Sequence, residues 1–286
     1  MSVESVATMV KTAVILAAGN GSRLATQSGA PAPSKPLTLL AGVPLVVRTL
    51  LNLQNSGFQR AVVVTGYRAE EVEWALANDP RLTIELAFAR NERWKAANGV
   101  SVLAARPFVD SPEFYLLMSD HIFERAILDR LAEATLDPAG ALLAVDRKLD
   151  EVFDMDDATK VQTDGGREII QIGKQLTTFD AVDTGVFRCS RSLFDALAAV
   201  HDRKGDCSLS DGIGTLARGG HMHVVDVGSA WWQDVDTPEA MAHARTMLLE
   251  ACLRSPDGIV APNLGRPLAG SVGGGALPVT APPRLH

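Results

Sequence analysis

The chain has 286 residues, 47% of them hydrophobic, enough to fill the core of one large α/β domain. A formal net charge of -7 leaves no basic footprint for nucleic acid, so any anionic substrate must be held by a few local cations. No apolar run approaches the roughly 20 residues that a membrane-spanning helix requires, and Cys189, Cys207 and Cys252, widely spaced and without a C-x-x-C pair, suit packing in a reducing cytosol rather than zinc binding.

Residues 1–10 have no period and read as a lead-in; with Glu4 and no basic flank they do not resemble a signal peptide. Residues 13–17 form a short uncharged apolar run followed by Gly19 and Gly21, the pattern of a buried strand emptying into a glycine loop. Glycines let backbone N–H groups approach an anion, and Arg23 and Lys35 add two cations, so the loop is expected to cradle a nucleoside triphosphate. It is not a P-loop, because Ser22 and Arg23 follow Gly21 where G-K-[ST] is required. Nor is it a dinucleotide fingerprint: Leu24 stands at the third glycine position, and the next strand ends in Thr65-Gly66-Tyr67 without a ribose-binding acid.

Residues 44–51 carry apolar side chains at helical spacing, and Gly57 ends that helix before a strand at 61–64. A helix at 70–77, a strand at 82–88 and a helix at 98–106 follow. Strands alternating with helices imply a mostly parallel sheet covered on both faces. The strand at 114–118 delivers Asp120 to its carboxyl end, where ligands of open parallel sheets sit. Asp120 could be a metal ligand or the N-cap of a helix at 124–134; a triphosphate site needs Mg²⁺, and Mg²⁺ needs carboxylates, which favours the metal.

Asp154, Asp156 and Asp157 read as a solvated acidic loop rather than a metal site. Strands at 160–163 and 168–172 flank Asp164-Gly165-Gly166, a hairpin signal. Lys174, just past it, is either surface charge or the cation for a second substrate's phosphate. Asp183-Thr184 leads into a buried strand, followed by helices at 193–200 and 209–217 and a strand at 221–227. In W-W-Q-D-V-D-T-P-E, period-2 spacing puts Asp234 and Asp236 on one face, while Thr237-Pro238 opens a helix running to about residue 252. Two carboxylates beside tryptophans call for a cation, so they too are read as metal-facing. The Gly-, Pro- and Ala-rich stretch from 254 to 286 has no period and is expected to be disordered or draped on the surface.

Taken in order, L-A-A-G-N-G-S-R-L, S-K-P-L, A-N-G-V-S, M-S-D-H, D-A-T-K-V, I-G-K-Q-L-T-T-F-D-A-V-D-T-G and W-W-Q-D-V-D-T-P-E closely resemble CTP:inositol-1-phosphate cytidylyltransferases. These form the soluble part of enzymes that also carry a membrane-embedded CDP-alcohol phosphotransferase. The first two motifs fit the whole sugar-phosphate nucleotidyltransferase superfamily, and the I-G-K…D-T-G block with M-S-D-H narrows the likeness to the inositol phosphate branch. The resemblance implies a Rossmann-like (GT-A-like) nucleotidyltransferase domain over residues 9–252, mostly parallel, with helices on both faces and a small antiparallel hairpin extension, then a tail at 253–286. It implies transfer of CMP from CTP to inositol-1-phosphate, giving CDP-inositol and pyrophosphate.

Carried over by motif, Leu16, Ala17, Ala18, Gly19 and Gly21 would bind the nucleotide, with Asn98 and Ser101 beside it. Arg23 and Lys35 would hold the triphosphate, and Asp120 and Asp236 would ligate Mg²⁺, with Asp234 a weaker ligand or a partner of the ligands. Lys174, Asp183 and Thr184 would face the inositol phosphate. The attacking phosphate is already anionic, so His121 is given no catalytic role. Residues 255–268 resemble the juncture at which bifunctional relatives enter their membrane domain, yet nothing apolar follows. The expectation is a stand-alone cytoplasmic enzyme, with self-association left open, whose product a separate membrane phosphotransferase consumes. Phosphocholine, aminoethylphosphonate or a sugar-1-phosphate as acceptor, UTP or dTTP as donor, and a non-catalytic nucleotide sensor stand as alternatives.

Overall fold

Residues 13–17 lack alternation because both faces of their strand are covered. In the computed structural model, which describes residues 11–21, 24 and 34–254 (without the side chains of 252–254), Val14 and Leu16 enter one apolar cluster while Ala13, Ile15 and Ala17 enter another. In chain order the elements are β1 (Thr12–Leu16), β2 (Leu39–Leu40), β3 (Val43–Pro44), α1 (Leu45–Asn55), β4 (Arg60–Thr65), α2 (Ala69–Ala77), β5 (Glu85–Arg90), α3 (Asn98–Ala105), β6 (Glu113–Met118), β7 (His121–Phe123) and α4 (Ala126–Glu133). There follow β8 (Ala141–Asp146), β9 (Lys160–Thr163), β10 (Ile169–Gly173), β11 (Ala181–Ser190), α5 (Ser192–Lys204), α6 (Leu209–Arg218), β12 (Met222–Asp226), β13 (Trp232–Asp234) and α7 (Pro238–Arg254).

A nine-stranded sheet holds the fold together. Strands β5, β4, β1 and β6 lie side by side in parallel, and β11 then runs antiparallel between β6 and β8, with β12 parallel to β8 beyond. The hairpin β9–β10 joins through the first residues of β11, where Ala181 faces Val161. One face of the sheet packs on α3, α5 and α6 through residues such as Val102, Phe194 and Ile213; the other packs on α1, α2 and α4 through Leu50, Leu76 and Ile127. This is the mostly parallel α/β domain with a small antiparallel hairpin that the motifs implied.

Three local readings change. A strand, β8, occupies 141–146, which the sequence reading left without an element; all six of its residues are buried. Asp120 does not cap a helix, because β7 intervenes before α4. Ser101 and Thr184 turn inward: Ser101 Oγ accepts from Asn91 Nδ2 at 2.9 Å, and fully buried Thr184 donates from Oγ1 to the Ala144 carbonyl at 2.8 Å. Cys189 and Cys207 are buried free thiols, as packing residues should be. The side chain of Cys252, the lead-in, Arg23 and the tail beyond 254 lie outside the described residues, and among those described no helix is long and apolar enough to cross a membrane.

Candidate active site

The carboxyl ends of β1 and β6 open together, since the two strands are parallel neighbours and the Ser119 N–H donates to the Leu16 carbonyl at 3.1 Å. Asp120 stands there. A two-stranded ribbon fixes what it meets: β7 pairs with β13, setting Asp234 opposite His121, and the Val235 N–H donates to the Asp120 carbonyl at 3.0 Å. Val235 is fully buried in a small cluster with Leu40, Leu45 and Ile122. With Val235 turned into that cluster, Asp234 and Asp236 on either side of it line the cleft, which is the physical content of D-V-D. Thr237 Oγ1 caps α7 by accepting from the Ala240 N–H at 3.1 Å, leaving both acids for the cleft.

Lys35 completes the centre. Its ammonium forms ion pairs with both Asp120 and Asp236, so three segments far apart in the chain meet at one charge. His121 lies behind them, Nδ1 3.0 Å from Asp120 Oδ1 and 4.0 Å from Asp234 Oδ1, its ring stacked on Trp232 with 6.0 Å between centroids. Burial would raise the Asp120 carboxyl, but Lys35 and His121 outweigh it and hold the group well below the usual carboxylate range. Burial opposes a charge on His121 too, yet Asp234 and Asp120 raise its pKa above the ordinary imidazole value.

The cleft in front has a volume of about 520 Å³ and runs from Asn98 and Asp236 to Lys174. Asp183 and Gly185 line it and Thr184 does not, as alternation along β11 requires. Burial pushes the Asp183 carboxyl up to about 6, offset in part by the Gly185 N–H that donates to it at 2.7 Å. Lys174 pairs with Asp157 at 2.7 Å. Asp157 is therefore not merely part of a solvated loop: one of its carboxylate oxygens comes within 4.8 Å of ligand atoms of Asp234 and Asp236. Asp154, though exposed, also lines the cleft, and only Asp156 of the three acids is exposed away from it. The loop carrying Asp157 is tied down where Phe153 stacks on His243 of α7, centroids 4.5 Å apart. Asp146, Lys148 and Trp232 also lie in the wall: Asp146 accepts from Trp232 Nε1 at 3.0 Å and from Lys148 Nζ at 2.8 Å.

At the start of the glycine loop, Leu16, Ala17 and Ala18 present mainly backbone, their side chains being buried. The Tyr67 N–H donates to the Ala18 carbonyl at 2.9 Å, and a β-carbon on Gly66 would lie 2.5 Å from Trp94 Cβ and 2.9 Å from the Ala18 oxygen, so the end of β4 braces the glycine loop from behind. Around Gly19 no described atom lies within 4 Å of such a carbon. Asn98 lines the cleft while its Oδ1 accepts from the Leu209 N–H at 2.8 Å, joining α3 to α6.

Sequence reasoning missed Asp157, Asp146, Lys148, Phe153 and His243 as parts of this cleft. For Asp157 a signal existed, since it opens the D-A-T-K-V stretch; the others carry none.

The donor set fits a hard divalent ion. Asp120 and Asp236 offer carboxylate oxygens that already converge on a cation, the Lys35 ammonium, and Asp234 stands beside them.

Over residues 13–218 the sequence matches the family described as MobA-like NTP transferase domain. It is 33% identical over 259 residues to the bifunctional IPC transferase and DIPP synthase of Aquifex aeolicus, covering 90% of this chain and 56% of that one. To the protein of the same description in Rubrobacter xylanophilus it is 35% identical over 254 residues, covering 87% and 54%. The chain thus spans about half the length of these curated relatives. Among solved structures, the inositol-1-phosphate CTP transferase from T. maritima superposes with a TM-score of 0.74 at 25% identity, covering 85% of this chain and 96% of that one.

Proposed function

The chain belongs to the MobA-like NTP transferase family, and from that premise we propose that it is a CTP:inositol-1-phosphate cytidylyltransferase, moving CMP from CTP to inositol-1-phosphate with release of pyrophosphate. The observation that carries the reading is the convergence of Lys35, Asp120 and Asp236 at the open ends of β1 and β6, with Lys174 and Asp183 in the same cleft. The activity named for the T. maritima protein, 96% of which is covered by the superposition, supports the choice of nucleotide and acceptor.

The reaction needs no base. A phosphate oxygen of the acceptor, already anionic, attacks the α-phosphorus of CTP; that P–O bond forms as the bond to the bridging oxygen of pyrophosphate breaks, and pyrophosphate leaves with the electron pair. The obstacle is repulsion between anions, in a cleft whose described lining has more acids than lysines. Positioning and charge neutralisation are the main tasks. Held by Asp120 and Asp236, with Asp234 beside them, Mg²⁺ would neutralise the triphosphate and the charge that develops on pyrophosphate. Lys35 holds the triphosphate from the loop side, and Arg23 is assigned to the same task. Lys174 holds the acceptor phosphate and Asp183 accepts from its ring hydroxyls. His121 keeps Asp120 and Asp234 turned toward the cleft and transfers no proton.

Pyrophosphate release measured over a panel of nucleoside triphosphates and phosphorylated acceptors tests the proposal. CTP with inositol-1-phosphate should exceed every other pair by at least tenfold in kcat/KM. A higher value with phosphocholine, aminoethylphosphonate or a sugar-1-phosphate would reassign the acceptor, and no release with any pair would leave a nucleotide-binding protein without turnover.

A further inference from the structure

Lys35 stands where the metal would. Its ammonium reaches Asp120 from one side and Asp236 from the other, and its side chain is nearly buried, 10% exposed. Mg²⁺ binds carboxylate oxygens at about 2.0–2.1 Å in a near-octahedral shell, so it cannot share the gap between these two groups with an ammonium already filling it. The two cations also repel, in a site shielded from water.

The anchoring of Lys35 makes the head, and not the base, the movable part. Its backbone is fixed in a short turn, where the Leu37 N–H donates to the Ser34 carbonyl at 2.8 Å and Pro36 is buried. Its Cβ, Cγ and Cδ pass directly over Gly21 of the loop that receives the triphosphate. A four-carbon stem with a rotatable head can therefore swing from the acids to a phosphate in that loop without moving the chain.

We propose that Lys35 is a stand-in cation: it neutralises Asp120 and Asp236 in the free protein, holds the metal site closed to a divalent ion, and gives the site up when a triphosphate draws the ammonium away. Metal and nucleotide then enter together, and the free protein keeps no resident ion. This rests on the reading of Asp120 and Asp236 as the metal ligands.

Mn²⁺ serves as the probe, followed by electron paramagnetic resonance on the full chain without nucleotide. The free wild type should bind Mn²⁺ weakly, and Lys35→Met should bind it at least tenfold more tightly, a gain that Asp120→Asn in the same background removes. Lys35→Met binding no more tightly than wild type would overturn the proposal. Should Lys35→Met fail to fold, crystals of the wild type soaked in Mn²⁺ alone decide: no anomalous peak between Asp120 and Asp236 is expected, and a peak there with Lys35 still in place would overturn it. Absence of Mn²⁺ from the pair even in the wild type with α,β-methylene-CTP would overturn the metal reading itself, and this proposal with it.

Discussion

Gly21 lies under the side chain of Lys35: a β-carbon built on Gly21 would fall 2.2 Å from Lys35 Cβ and 2.8 Å from its Cδ. The second loop glycine thus leaves the channel along which Lys35 reaches Asp120 and Asp236. Its φ of 58° adds a reason of its own, since a side chain in that region costs about 1–2 kcal/mol. Gly21→Ala should therefore imitate the loss of Lys35, lowering kcat by on the order of 10²-fold. The melting temperature should fall by only a few degrees, at about 2–4 °C per kcal/mol for a domain of this size. Steady-state kinetics beside a thermal melt checks both.

Asp120 is the acid on which Lys35 and His121 both converge. Asp120→Asn keeps its shape but removes its charge, leaving Lys35 to Asp236. Turnover should drop by on the order of 10²–10³-fold, with the circular dichroism spectrum unchanged.

His121 has its own glycine. A β-carbon on Gly185 would lie 2.5 Å from His121 Cδ2, and Gly185 sits at φ 75° where β11 slips its register against β8. Gly185→Ala should push the ring off Asp120 and strain the bulge, costing about 2–3 kcal/mol. A larger fall in melting temperature than for Gly21→Ala, together with lost turnover, is the expected pattern.

Asp183 should set a pH dependence of stability. Its pKa is raised from 3.8 to about 6 by burial, so the folded state holds the proton more tightly than the unfolded chain does. Relative to an uncharged residue, stability is then intact below about pH 4, declines as pH climbs toward 6 and is level above. The full difference is roughly 3 kcal/mol. Asp183→Asn should match the wild type in denaturant unfolding at pH 4 and exceed it at pH 7.5, while binding inositol-1-phosphate less well.

The elements that are locally encoded were legible in the chain. The glycine loop, D-V-D ahead of the Thr237 cap, and the Asp164-Gly165-Gly166 hairpin each carry their signal within a dozen residues. What the sequence did not disclose depends on contacts far along the chain. Strand β8 is a short run buried on both faces, and its partners β11 and β12 lie tens of residues downstream. Asp157 reaches Lys174, Asp234 and Asp236 from a loop whose Phe153 stacks on His243 of the last helix, a contact between residues 90 positions apart. Ser101 and Thr184 sit in the right motifs, but the facing of a single polar residue within a buried element is decided by its packing, here by Asn91 and Ala144.

The proposed function makes the Lys174–Asp157 pair the place to test acceptor binding apart from nucleotide binding. Lys174 is half-exposed and its distance to Asp157 is 2.7 Å, so the pair itself adds little stability, about 0–1 kcal/mol. In the proposed reaction the pair would hold the ammonium at the cleft until the acceptor phosphate competes for it. Lys174→Ala should raise the KM for inositol-1-phosphate at least tenfold while leaving the KM for CTP within about twofold. Asp157→Asn should act the other way at first, freeing the ammonium and lowering that KM. Because Asp157 also approaches Asp234 and Asp236, the same variant should need a higher Mg²⁺ concentration for half-maximal rate. Acceptor, CTP and Mg²⁺ titrations of both variants check the assignment; equal changes in the KM for CTP and for the acceptor would place Lys174 outside the acceptor subsite.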